Sequence, residues 1–204
     1  MTIPIKYRKD REKAIASYNF IDIASGTGIT TFYAGMASGA FMLSSNTYYG
    51  QPFESTYTTT SAYPILADTM NFDAVFNLPQ VIKGLCVISA PIEAAGGGAN
   101  QAKSNYHFAL QKISDGVTSN IASGASGFVA SLGTKEEISS LTLDIPLTHF
   151  KKDDTLRLNC LYYIGQNGGT GNFAIAYDPK NRAGATITTI DTNLVVNLPF
   201  RIDL

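Results

Sequence analysis

The feature that most constrains this chain is a two-residue hydrophobic alternation that recurs along most of its length. Successive side chains of a strand point to opposite faces, so a period of two marks a strand with one face buried and the other wet. Phe72, Ala74, Phe76 and Leu78 share one phase, with Asn71, Asp73 and Asn77 in the other. The alternation returns in Tyr106, Phe108 and Leu110, in Leu141, Leu143, Ile145 and Leu147, and in Leu156, Leu158, Cys160 and Tyr162. It closes with Phe173, Ile175 and Tyr177, then Leu194, Val196, Leu198, Phe200 and Ile202. A parallel sheet is covered on both faces and reads as unbroken apolar runs, so this pattern predicts antiparallel pairing.

Turn signals separate the runs. Gly26-Thr27-Gly28 reads as a hairpin turn between residues 21–24 and 29–33. Further turns are expected at Gly96-Gly97-Gly98-Ala99-Asn100, Asp115-Gly116, Asn167-Gly168-Gly169 and Asp178-Pro179. About eight to ten strands result, with less than about 10% helix. Pro91, Pro146 and Pro199 fall inside alternating runs and Pro79 ends one. Proline cannot donate to a ladder, so each belongs on an edge or at a bulge. Two open sheets have edges and a closed barrel has none. The expected fold is therefore all-β, an antiparallel β-sandwich of jelly-roll type, one domain over residues 19–204 preceded by an N-terminal arm, residues 1–18.

The arm differs in composition from everything after it. Lys6, Arg8, Lys9, Arg11 and Lys13 stand against Asp10 and Glu12, seven of the 31 charges of the chain. Too few apolar residues are present for it to fold alone. It is expected to anchor the protein to a partner through Ile3, Ile5, Tyr7, Arg8, Lys9, Arg11 and Ile15.

Charged residues make up 15% of the chain and the net charge is −1, which argues against nucleic acid, where a basic face carries the affinity. The longest apolar run, around Gly84 to Ile92, is interrupted by Ser89 and Pro91, so no membrane span is expected. No hydrophobic stretch follows the charged N-terminus as a secretory signal would require. Cys86 and Cys160 each lie in an apolar run and read as buried thiols.

The residue types that carry chemistry are sparse. His107 and His149 have no Cys or second His at metal-ligand spacing, and no Gly-x-Ser-x-Gly elbow occurs. Gly26-Thr27-Gly28 lacks the third glycine and following helix of a dinucleotide fingerprint. Asp153-Asp154 follows Lys151 and Lys152, which weaken a calcium site and suit a solvated turn. Glu136-Glu137 has no evident partner carboxylate for glycosidase chemistry. Asp178 and Asn181 either bracket a cation or form a turn through their own side chains. The sequence thus predicts no catalytic, cofactor or metal site.

An absence says more. From residue 23 to 67 the only charged side chain is Glu54, yet the stretch holds ten Phe, Tyr and Met residues, including Phe32, Phe41 and Met42. Interfaces are depleted in charge and enriched in these types. Tyr48, Tyr49, Tyr57 and Tyr63 are expected at a subunit interface of a homo-oligomer.

Three stretches carry a resemblance: residues 20–29 (FIDIASGTGI), 153–158 (DDTLRL) and 198–204 (LPFRIDL). With them the chain after residue 18 resembles the jelly-roll virion proteins of tailed bacteriophages, meaning decoration, head-fibre and minor capsid proteins. That resemblance implies a non-enzymatic structural subunit of the virion, trimeric and attached to a capsid or another virion protein by its arm. A carbohydrate- or receptor-binding β-sandwich module is the alternative.

Overall fold

The computed structural model describes residues 27–47, 54–97, 100–166 and 168–201. Of these, 70% lie in strands and none in a helix. Twelve strands run in chain order as β1 (Thr27–Ala37), β2 (Ala40–Ser44), β3 (Glu54–Thr59), β4 (Ile65–Val75), β5 (Gln80–Ala95) and β6 (Ala102–Ser114), then β7 (Val117–Ala125), β8 (Val129–Ser131), β9 (Thr134–Phe150), β10 (Thr155–Gln166), β11 (Gly171–Ala176) and β12 (Val195–Arg201). They form one hydrogen-bonded sheet in the order β3-β11-β5-β12-β1-β2-β4-β10-β6-β7, with β8 beside β6 and β9 beside β5. All pairings are antiparallel except β2 with β4, which meet in parallel at Met42 and Asp73. The sheet is therefore mixed, where the alternation predicted a purely antiparallel one.

Strands from the two halves of this sheet order contribute to one shared core. Phe72, Phe108 and Leu158 from one half cluster with Ile88, Ile175 and Val196 from the other. Two buried tyrosines tie the halves together. Tyr106 Oη on β6 donates to the Pro91 carbonyl on β5 (3.2 Å), and Tyr162 Oη on β10 donates to the Ala174 carbonyl on β11 (3.2 Å). Their rings stack with centroids 5.0 Å apart. Burying each large apolar side chain in such a core contributes about 1.5–3 kcal/mol, which is why the alternating residues dictate the fold.

The alternation holds at Tyr106, Phe108 and Leu110, along Leu156 to Tyr162, at Phe173, Ile175 and Tyr177, and along Leu194 to Phe200, all buried. It fails at Leu78, 67% exposed because β4 ends at Val75. It fails again at Leu147, 49% exposed, where the register of β5 on β9 shifts between Ile82 and Gly84. An extra residue in one strand flips the phase of the residues after it. Gly84 occupies this irregularity with φ +121°, a conformation that favours glycine. Pro146 lies on the neighbouring stretch of β9, and Pro199 falls within the register shift of β12 on β5, beside Gly84. Pro91 sits where β5 changes partner on one side, after Ser89 pairs with β12 and before Ile92 pairs with β11, and stands opposite Ile138 of β9 on the other.

Asp115-Gly116 makes the β6–β7 hairpin with both residues at positive φ, as expected. Thr27 and Gly28 do not form the predicted turn: they already belong to β1, opposite Arg201 and Phe200. Cys86 and Cys160 are free and buried, and burial pushes the Cys86 thiol up to about 12.

Candidate functional site

The most elaborate polar construction lies on the outer face of β3, β11, β5 and β9. Ala174 and Ala176 of β11 point away from the main core, while Phe173, Ile175 and Tyr177 point into it. Residues directly opposite in a ladder share a face. Glu54 stands opposite Ala176, Glu93 opposite Ala174, and Glu136 opposite Glu93, so three carboxylates lie on this one outer face.

The connection from β11 to β12 crosses above them. Asp178 turns it, accepting from the backbone N–H groups of Lys180 (3.1 Å) and Arg182 (2.7 Å) and from the Arg182 guanidinium (3.0 and 3.0 Å). These bonds hold the Asp178 carboxyl below its ordinary value against the effect of burial. Asn181 secures the far end, donating to Asp191 and accepting from the Thr192 N–H. Between these anchors runs a strap, Ala185 to Ile190. Glu54 accepts from the N–H groups of Ala185 (2.9 Å) and Thr186 (3.4 Å). Glu136 accepts from the N–H groups of Thr188 (3.1 Å) and Thr189 (2.7 Å) and from both hydroxyls. Ile187, fully buried, packs on Ala174 and Ala176 between the two pins. Gly184 leaves room at the start of the strap: a Cβ there would meet the Glu54 carboxylate and displace it from the strap amides.

Glu93 is only 5% exposed. Burial first, then Glu136 and Glu54, pushes its carboxyl above the ordinary range. The backbone and hydroxyl donors of Thr188 and Thr189 hold Glu136 below that range despite partial burial. Neighbouring carboxylates driven in opposite directions are a mark of functional sites.

A second feature is an open concavity of about 430 Å³ on the outer face of β10, β6 and β7. Small residues floor it, among them Ala109, Ser123 and Gly124, and His107, Asn120, Asn159 and Leu161 wall it. His107 packs on the Tyr163 ring at 4.7 Å, and Asn159 donates to Asn71 at 2.8 Å. A two-pronged Arg157–Asp73 pair (2.7 and 2.7 Å) lies next along the strands.

The expected partner-anchoring residues Ile3, Ile5, Tyr7, Arg8, Lys9, Arg11 and Ile15 lie outside the described residues, as do Tyr48 and Tyr49. Tyr57 packs on Tyr162 and donates to Asp68, and Tyr63 packs on Phe128 and donates to Asn105. Glu136 does have partner carboxylates, contrary to expectation, in Glu93 and Glu54. They are distant in sequence and were legible only as an isolated charge in a neutral stretch (Glu54) and a charge inside an apolar run (Glu93). The Asp153-Asp154 turn is less solvated than expected: Asp154 is buried, accepting from Lys151 N and pairing with Lys112 Nζ at 3.0 Å. Neither imidazole is hydrogen-bonded to a serine or carboxylate among the described residues.

No family model matches the chain, and no curated protein matches it. Solved structures do. An α-amino acid ester hydrolase aligns over 84% of this chain at a TM-score of 0.58 and 12% identity. An aminopeptidase from a marine sediment Thaumarchaeota archaeon aligns over 83% at a TM-score of 0.56 and 7% identity. A CocE/NonD family hydrolase from Staphylococcus aureus aligns at a TM-score of 0.48 and 10% identity. The chain spans only 36–37% of the length of these structures. At such identities the likeness is one of fold.

These findings correct the sequence reading. The fold is like β-regions of hydrolases, and the resemblance to jelly-roll virion proteins of tailed bacteriophages is not upheld. The non-enzymatic capsid or head-fibre role, with its glycan-binding alternative, falls with it. The three stretches that carried the resemblance encode little beyond strand alternation and turn chemistry: residues 155–158 open β10, and 198–201 close β12. Many β-sheets share such features. The step from missing local motifs to the absence of enzymatic function also fails, because hydrolytic residues need not be neighbours in sequence.

Proposed function

We propose that this chain works in hydrolysis as a β-domain, of jelly-roll sandwich architecture, set beside a hydrolase catalytic unit that cleaves esters or amides of amino-bearing substrates. The observation that carries this reading is the alignment of 84% of the chain with about a third of an amino acid ester hydrolase. The aminopeptidase alignment supports the same substrate class, since both proteins are named for compounds with a free amino group. The shared core bridged by Tyr106 and Tyr162 supports the two-layer arrangement. In this reading the basic arm of residues 1–18 is a docking segment for the catalytic unit.

Fractionation from the native source tests the proposal. Hydrolysis of an amino-acid p-nitrophenyl ester or p-nitroanilide should co-elute with the chain through two unrelated chromatography steps. If chain-containing fractions and the isolated chain are both inactive on esters and anilides, the proposal fails.

A further inference from the structure

The β11–β12 connection is held by carboxylates in a way that goes beyond the needs of a loop. Its two ends are tied to each other: the Asp178–Arg182 turn carries Asn181, which bonds Asp191 and the Thr192 N–H. The middle is held on each side by one glutamate, Glu54 from β3 and Glu136 from β9, each accepting backbone N–H groups of the strap. Ile187 fills the space between, over Ala174 and Ala176. Glu93 is buried on the same face between the two pins, opposite Glu136 in the ladder.

We propose that the Ala185–Ile190 strap is a proton-operated latch, closed while Glu136 is ionised and Glu93 is not, and released when Glu136 takes up a proton or Glu93 loses one. Release uncovers Ala174, Ala176 and the Glu93 carboxyl. The device is independent of the hydrolase reading, because it rests on the strap and the three glutamates of its face.

The signs follow from the environments. Glu136 lies below its ordinary value, so its contribution to closure is present above that value and is lost as pH falls through the lowered one. Glu93 lies above its ordinary value, so its contribution is present below that value and is lost as pH rises through the raised one. Closure is therefore strongest in a band between the two. The other charged groups do not cancel this. β11 brings none to the face, and Lys135 and Glu137 of β9 lie opposite core residues and pair with each other at 2.6 Å. In the connection itself, Asp178 is paired with Arg182, and Asp191 accepts from Asn181.

The test is amide hydrogen exchange by NMR, read as protection factors so that the intrinsic pH dependence of exchange is removed. Thr188 and Thr189 amides should lose about five- to tenfold protection between pH 6 and pH 3, the difference between charge-assisted and neutral bonds. Amides of β10 should hold their protection over the same range. Glu136→Gln should show the low-protection state already at pH 6, with the acid limb gone. Glu93→Gln should keep the acid limb and lose the decline on the alkaline side of the band. The latch is overturned if wild-type strap protection is flat from pH 3 to 8, or if Glu136→Gln retains the wild-type profile. It is equally overturned if strap and β10 amides lose protection together, since opening would then be global.

Discussion

Replacing Tyr162 with phenylalanine removes one oxygen from the most enclosed part of the fold and leaves the ring in place. The side chain is 0% exposed, stacked on Tyr106 at 5.0 Å and edge-on to Tyr57 at 5.7 Å. Its hydroxyl donates to the Ala174 carbonyl at 3.2 Å and is 3.4 Å from that of Glu93, joining β10 to β11 and β5 across the core. The second contact is long and adds little. Ala174 and Glu93 both lie in strands paired on either side, so their carbonyls are not stranded without a ladder. One net hydrogen bond in this setting is worth about 0.5–1.5 kcal/mol. Tyr162→Phe should therefore cost about 1 kcal/mol, or about 2–4 °C in Tm for a chain of this size. Tyr162→Ala, which also loses the ring, should cost about 3–5 kcal/mol. Urea denaturation followed by near-UV circular dichroism measures both, with the m-value unchanged for Phe. A Phe variant as stable as wild type, or one as damaged as Ala, would refute the account of the hydroxyl as a cross-layer tie.

The phenols of Tyr57, Tyr106 and Tyr162 are all raised by burial, so stability should decline as pH climbs past about 10, where the unfolded chain ionises first; absorbance at 295 nm should show a delayed group of tyrosines that ionise only with unfolding. Asp154 is held at about 2 by the Ser114 hydroxyl, the Lys151 N–H and Lys112, so its contribution is present above about pH 4 and lost as pH falls through about 2. Asp154→Asn should flatten that part of the acid-denaturation curve, and an unchanged curve would count against the pairing. A Cβ at Gly165 would run into the Tyr63 backbone; Gly165→Ala should cost about 1–3 kcal/mol in thermal melts, and a neutral result would mean that the 61–64 segment yields easily.

Sequence alternation read the strands well wherever a strand keeps one register for its whole length. Leu156, Leu158, Cys160 and Tyr162 all face inward because β10 lies between β4 and β6, and its one irregularity in pairing with β4 comes only after Tyr162. The same reasoning misplaced Leu147 because a bulge resets the phase, and bulges are set by the partner strand. Proline carried the hidden information: Pro146 and Pro199 both lie at the irregularity around Gly84. Read as sandwich edges, they pointed to two separate open sheets. The β2–β4 contact, one parallel pairing at Met42, joins the halves into one sheet, and no local pattern announces it.

The carboxylate face was harder to see for a related reason. Glu54, Glu93 and Glu136 are 39 and 43 residues apart, and only the pairing of β3 with β11, β11 with β5, and β5 with β9 brings them onto one surface. Their separate surroundings each had a bland explanation: a lone charge in a neutral stretch, a charge inside an apolar run, a doublet in a polar segment. Glu93 alternates with the core residues Ile92 and Ala94 and so reads as an outward-facing charge, yet it is buried, and an unpaired buried carboxylate is costly unless it is neutralised or covered. Here the cover is the strap, whose threonines and Gly184 look like ordinary loop composition until Glu54 and Glu136 are placed beneath them. Local chemistry thus named the parts, and long-range strand pairing assembled them. The two levels meet at Ile187, the apolar residue that the strap must insert for the carboxylates on either side to reach its backbone.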